Sequence, residues 1–109
     1  MAGSFGMTFS WGESTNCGPS KSPPMTLYNV TSDAVYIEIR LINLTSKEQR
    51  GKALGKLSGR MHFNYGDLSS EGYKGPCNDG KNIYLLEARL LDRAGETIAV
   101  SSGSLPFPE

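Results

Sequence analysis

This chain is short of the groups that run chemistry at neutral pH. Its 109 residues include one histidine, His62, and two cysteines, Cys17 and Cys77. One histidine and no Cys-x-x-Cys pair do not make up the ligand set of a zinc site, and no metal is expected. No serine or cysteine stands in a nucleophile motif. Acid–base catalysis would therefore lean on His62 alone, with an acidic partner and a nucleophile converging on its ring. The run Gly51-Lys52-Ala53-Leu54-Gly55-Lys56-Leu57 fails as a phosphate loop, both on spacing and for want of a Ser or Thr after the lysine. The sequence reads as that of a non-enzyme without a cofactor.

An excess of charge of one sign is missing too. The 11 basic side chains are matched by 11 acidic ones. Non-specific nucleic-acid binding rests on neutralising many phosphates, so no nucleic-acid partner is expected. The one concentrated basic stretch is Arg50, Lys52, Lys56 and Arg60, and such a run reads as a solvated face. No apolar run approaches the ~20 residues that span a bilayer, so no membrane span is expected. No signal peptide is visible. Met1-Ala2-Gly3 reads either as a native start or as a new start placed where a signal was removed.

Helical periodicity is absent as well. The 13 glycines and six prolines break the chain into short pieces, and the remaining apolar residues alternate. From Ala34 to Leu44, Val35, Ile37, Ile39 and Leu41 lie on one face and Tyr36, Glu38 and Arg40 on the other. From Asn82 to Leu91, Tyr84, Leu86, Ala88 and Leu90 lie opposite Leu85, Glu87 and Arg89. An antiparallel register with Glu38 opposite Arg89 and Arg40 opposite Glu87 matches opposite charges across the two strands. Asp92-Arg93-Ala94-Gly95 reads as a hairpin turn into a strand from Glu96 to Ser101. Weaker strands are Met7 to Trp11, Met25 to Val30 and Met61 to Tyr65. Leu105-Pro106-Phe107-Pro108 is too rich in proline for a central strand and is expected along an edge. Arg50 to Arg60, with glycine at every fourth position, reads as a loop leading into a strand. The whole, residues 1–109, is expected to be one all-β domain, a small antiparallel sandwich or barrel.

Two loops stand out. Tyr73-Lys74-Gly75-Pro76-Cys77 and Ser22-Pro23-Pro24 are rigid, and each has a cysteine in or near it. Proline fixes the backbone, and glycine lets a partner approach closely. Such loops can present backbone N–H groups to a small anion, or can simply be stiff turns. The cysteines read either as two buried thiols or as one Cys17–Cys77 disulfide. A bridge closing so long a loop is worth about 4 kcal/mol in the chain-entropy model, less any strain.

These segments carry a family resemblance. Phe9-Ser10-Trp11-Gly12, Cys17 and Ser22-Pro23-Pro24-Met25-Thr26-Leu27 resemble the N-terminal cysteine and Ser-Pro loop of the phosphatidylethanolamine-binding proteins, also called the Raf kinase inhibitor protein family. Tyr28-Asn29-Val30 leading into Ala34 to Leu41 resembles the family's next turn and core strand. Gly72-Tyr73-Lys74-Gly75-Pro76-Cys77 resembles its Tyr-x-Gly-Pro loop, and Ile83 to Ala99 the strand pair that follows. The likeness is greatest to a short bacterial, YbhB/YbcL-type branch. It implies a β-sandwich with a pocket at one end for a small anion or a phosphate-like phospholipid head group. It also implies export to the periplasm or beyond, with the cytoplasm as the alternative, and it favours the disulfide. Carried onto this chain, the pocket is lined by Ser22, Pro23, Pro24, His62, Tyr73, Gly75, Pro76 and Tyr84. Ser22 would donate a hydrogen bond, Tyr73 and Tyr84 would form apolar walls, and His62 would add charge when protonated.

The chain departs from the family at several points. Ile42-Asn43-Leu44-Thr45 stands where the family has Asp-Pro-Asp. Asn78-Asp79 replaces the second proline of the Gly-Pro loop, and Asn82-Ile83-Tyr84 keeps only the tyrosine of a His-Arg-Tyr segment. The alternative is an immunoglobulin-like domain with no small-molecule site, meeting a protein partner at a strand edge.

Overall fold

The computed structural model describes residues 3–11, 21–75 and 82–107. All regular structure among them is β: β1 (Gly3–Ser4), β2 (Gly6–Phe9), β3 (Met25–Tyr28), β4 (Tyr36–Asn43), β5 (Glu48–Lys56), β6 (His62–Phe63), β7 (Ser69–Glu71), β8 (Asn82–Leu91) and β9 (Thr97–Phe107). They form a six-stranded sheet in the order β1-β9-β8-β4-β5-β7 and a three-stranded sheet in the order β2-β3-β6. Every pairing is antiparallel except β1 with β9. No helix of the described residues is long and apolar enough to cross a membrane.

The alternation read from the sequence sets the inside of the large sheet. Ile37, Ile39 and Leu41 from β4 and Tyr84, Leu86, Ala88 and Leu90 from β8 are completely buried. Met25, Leu27 and Phe63 of the small sheet face them within one core. Burying each of the larger aliphatic side chains among them, or Phe63, is worth roughly 1.5–3 kcal/mol. This inner face is where the sequence commits most of its apolar surface.

The β4–β8 register matches the expected one, with Glu38 opposite Arg89 and Arg40 opposite Glu87. The charged groups then pair along each strand. Arg40 Nε donates to Glu38 Oε1 at 3.0 Å, and Arg89 Nε donates to Glu87 Oε1 at 3.0 Å. Lys52 on β5 adds a longer contact to Glu38 Oε2 at 3.7 Å. The hairpin turn also forms as expected. Asp92 Oδ1 accepts the Ala94 and Glu96 N–H groups at 2.9 Å, and Gly95 takes a φ of +84°.

Residues 50–60 depart from the expected loop, because most of them belong to β5. The glycines serve the strand's surroundings. Arg40 pairs with Lys52 and Ile42 with Gln49, so Arg50 and Gly51 together oppose Leu41. This is a β-bulge, with Gly51 at a φ of +78°. A Cβ on Gly55 would lie 2.5 Å from Leu68 Cδ2, so a larger residue there would make the Leu68 side chain shift. The proline-rich end lies along β8 as part of β9, and Pro106 pairs with Ile83. β1 covers β9 only at Ala99 and Val100, so Pro106 stands on an open stretch of edge. There its carbonyl accepts Trp11 Nε1–H at 2.9 Å.

Candidate functional site

The bulge in β5 turns Arg50 into the sandwich. Gln49 pairs with Ile42 on the outer face, so the next residue points inward. Gly51 absorbs the extra residue, and Ala53 is again inward and buried. Arg50 is thus a strand arginine only 8% exposed. Its guanidinium lies 5.9 Å from the centroid of the Tyr84 ring.

Arg50 also holds the Tyr73–Gly75 loop at both ends of its own residue. Its Nε donates to the Gly75 carbonyl at 2.9 Å, and its backbone carbonyl accepts the Lys74 N–H at 2.7 Å. Gly72 bridges to Lys52, which brings the loop's start against Gly51. Among the described residues, Glu48 supplies the only carboxylate paired with the guanidinium. Tyr73 is buried. Burial pushes its hydroxyl well above the usual phenol range, and nearby Tyr65 adds to the shift. Trp11 continues the cluster, edge-on to Tyr84 at 5.9 Å and to Phe107 at 6.1 Å. One cation, a glycine loop and an aromatic wall therefore meet at this end of the large sheet.

The structure brings some of the expected residues together and separates others. Tyr73, Gly75 and Tyr84 converge around Arg50. Ser22 is buried, and its groups are tied to the neighbouring turn. Ser22 Oγ accepts the Leu68 N–H at 3.1 Å, and its carbonyl accepts the Gly66 N–H at 2.8 Å. Pro23 is fully buried. Leu68, whose N–H Ser22 holds, meets β5 at Gly55, and Gly72, at the start of the other loop, meets it at Gly51.

His62 and Pro24 share a different place. With Thr8, Phe9, Ser10, Met25 and Thr26 they line a cleft of about 260 Å³. His62 pairs with Thr26, one residue out of phase with the buried Met25–Phe63 pair, so its ring lies on the outer face of the small sheet. There Nδ1 meets Thr26 Oγ1 at 3.0 Å and Nε2 meets Asn64 Oδ1 at 3.1 Å. It does not converge on Tyr73 and Tyr84. Pro76, Cys17 and Cys77 lie outside the described residues. No group of three or more metal-ligating side chains occurs among the described residues.

Sequence reasoning missed Arg50 by grouping it with Lys52, Lys56 and Arg60. Lys56 and Arg60 are exposed, and Lys52 is only half-buried. The available signal was the Arg50-Gly51 pair: a glycine inside a strand marks a bulge, and a bulge re-aims its neighbour.

No family model and no curated protein matches the chain. Among solved structures, the chain is similar to a crystal structure described as a phosphatidylethanolamine-binding protein homolog from Chlamydia trachomatis. The two share 14% identity over 99% of each chain, with a TM-score of 0.60. The fold is therefore an all-β sandwich of the phosphatidylethanolamine-binding-protein type, the type carried by the sequence motifs.

Proposed function

We propose that this protein is a non-catalytic, exported binding domain of the phosphatidylethanolamine-binding type, from its short bacterial YbhB/YbcL-type branch. Its ligand is a small anion or the phosphate-like head group of a larger molecule, seated beside the Tyr73–Gly75 loop. The observation that carries this reading is Arg50. A guanidinium is rarely taken out of water without a purpose, because burying a charge is costly. Here the cation is pinned by the Gly75 carbonyl and backed by the Tyr84 ring. It supplies the positive charge lost with the family's His-Arg segment. Arginine's planar fork also suits phosphate oxygens.

Ligand-linked stability tests the reading. An anion that binds only the folded state raises the unfolding temperature by mass action. Millimolar phosphate is expected to raise it above that in sodium chloride of equal ionic strength, and Arg50→Gln is expected to abolish the difference. Equal unfolding temperatures in the two salts for the parent protein would count against an anion site.

A further inference from the structure

Arg50 already has a carboxylate. Glu48 stands two residues back on the same face of β5, with Oε1 paired to Arg50 Nη1. The two side chains are buried very unequally: Arg50 is 9% exposed and Glu48 is 54% exposed. That asymmetry decides what each one needs. A buried guanidinium requires an anion at hand, since it cannot recover its hydration where it lies. An exposed carboxylate has no such requirement, since water can take over its hydrogen bonds when it swings away.

The rest of the geometry fixes one partner only. Arg50 is held by the Gly75 carbonyl and lies against Tyr84. The Glu48 carboxylate has Arg50 as its only ion-pair partner among the described residues. The backbone of Glu48 is anchored through its N–H to Ser46 Oγ at 3.3 Å, a bond that does not involve the carboxylate. The turn before it is tight. Asn43 Oδ1 accepts the Thr45 and Ser46 N–H groups, and Lys47 takes a φ of +68°. The chain thus holds one carboxylate beside one cation.

We infer that Glu48 is a built-in competitor, its carboxylate sitting on Arg50 where the ligand anion goes and moving into solvent when the ligand enters. This inference rests on the anion-binding reading of Arg50. It also narrows the ligand class. A tethered carboxylate competes at an effective concentration in the millimolar range or above. A free carboxylate has no advantage over it, whereas a doubly charged phosphate monoester brings more charge and a third oxygen. Selectivity for phosphate over acetate follows from displacing a like group.

The test compares Glu48→Gln and Glu48→Asp with the parent protein. Inorganic phosphate and acetate are titrated separately at constant ionic strength, and the Lys74 and Gly75 amide shifts are followed. Glu48→Gln keeps the side chain's size and removes its charge, and is expected to bind phosphate about 10-fold more tightly. It is also expected to acquire acetate binding that the parent lacks. Glu48→Asp, one methylene too short to hold Arg50 well, is expected to fall between the two. It keeps the measurement open if the glutamine variant folds poorly. Equal phosphate affinity in parent and variants overturns the competitor role and leaves the anion site standing. Absence of phosphate binding in every form overturns the anion site, and the competitor with it. Tighter binding that survives Arg50→Gln in the Glu48→Gln background also overturns the inference, because the anion would then be seated elsewhere.

Discussion

A Cβ atom placed on Gly51 would lie 2.0 Å from the carbonyl oxygen of Gly72. The candidate site depends on that closeness. It brings the Tyr73–Gly75 loop onto β5 beside the bulge and sets Arg50 under the Gly75 carbonyl. Gly51→Ala is therefore expected to cost at least about 3 kcal/mol, combining left-handed backbone strain with a backbone clash that no rotamer relieves. Gly59 is the control. It has nearly the same φ, +76°, but nothing within 4 Å of its would-be Cβ. Gly59→Ala is expected to cost about 1 kcal/mol or less, part of the strain being offset in the unfolded chain. Urea unfolding of both variants separates conformational strain from the close approach.

Arg50 is expected to order the loop before any ligand arrives. Arg50→Met keeps much of the side chain's bulk but removes the donor to Gly75, leaving that buried carbonyl without its partner. The cost is expected to be about 1–3 kcal/mol. Hydrogen exchange should show where the loss begins, with exchange at the Lys74 amide, which donates to the Arg50 carbonyl, quickened more than exchange in β8.

Tyr73 makes stability depend on alkaline pH. Its folded-state value lies above the ordinary phenol value of 10.0, chiefly through burial. The stabilisation of the neutral form is therefore fully present below the unfolded value of about 10. Above that pH the unfolded chain ionises while the folded chain holds its proton, and stability falls until the folded value is passed. Urea midpoints measured from pH 9 to 11.5 should drop, and Tyr73→Phe should remove part of the drop.

The proposed export carries a redox expectation. With Cys17 and Cys77 joined, alkylation of the denatured, non-reduced protein should add no mass, and reduction should expose both thiols. Two thiols titrating without reductant, in protein taken from an oxidising compartment, would contradict the bridge.

The core strands were legible because their period is uninterrupted. Tyr36–Asn43 and Asn82–Leu91 alternate cleanly, and the charges of Glu38, Arg40, Glu87 and Arg89 fix how they pair. β5 was not legible for the converse reason. Its inward residues Arg50 and Ala53 are three apart, since the bulge at Gly51 shifts the phase, and a period-two reading sees only a basic, glycine-rich loop. The candidate arrangement around Arg50 was half legible for the same reason. The Tyr73–Gly75 loop and Tyr84 could be read from the motif, whereas the cation that joins them depends on the bulge. His62 belongs to a strand of two residues, too short to show which way its side chain points.

The most direct test of the proposed anion site is an amide-resolved titration with inorganic phosphate, repeated with phosphoethanolamine. Saturable shifts centred on Lys74 and Gly75, lost in Arg50→Gln and absent around His62, are the predicted result. Shifts centred on the cleft of Pro24, Thr26 and His62, or no localised shift up to millimolar ligand, would contradict it.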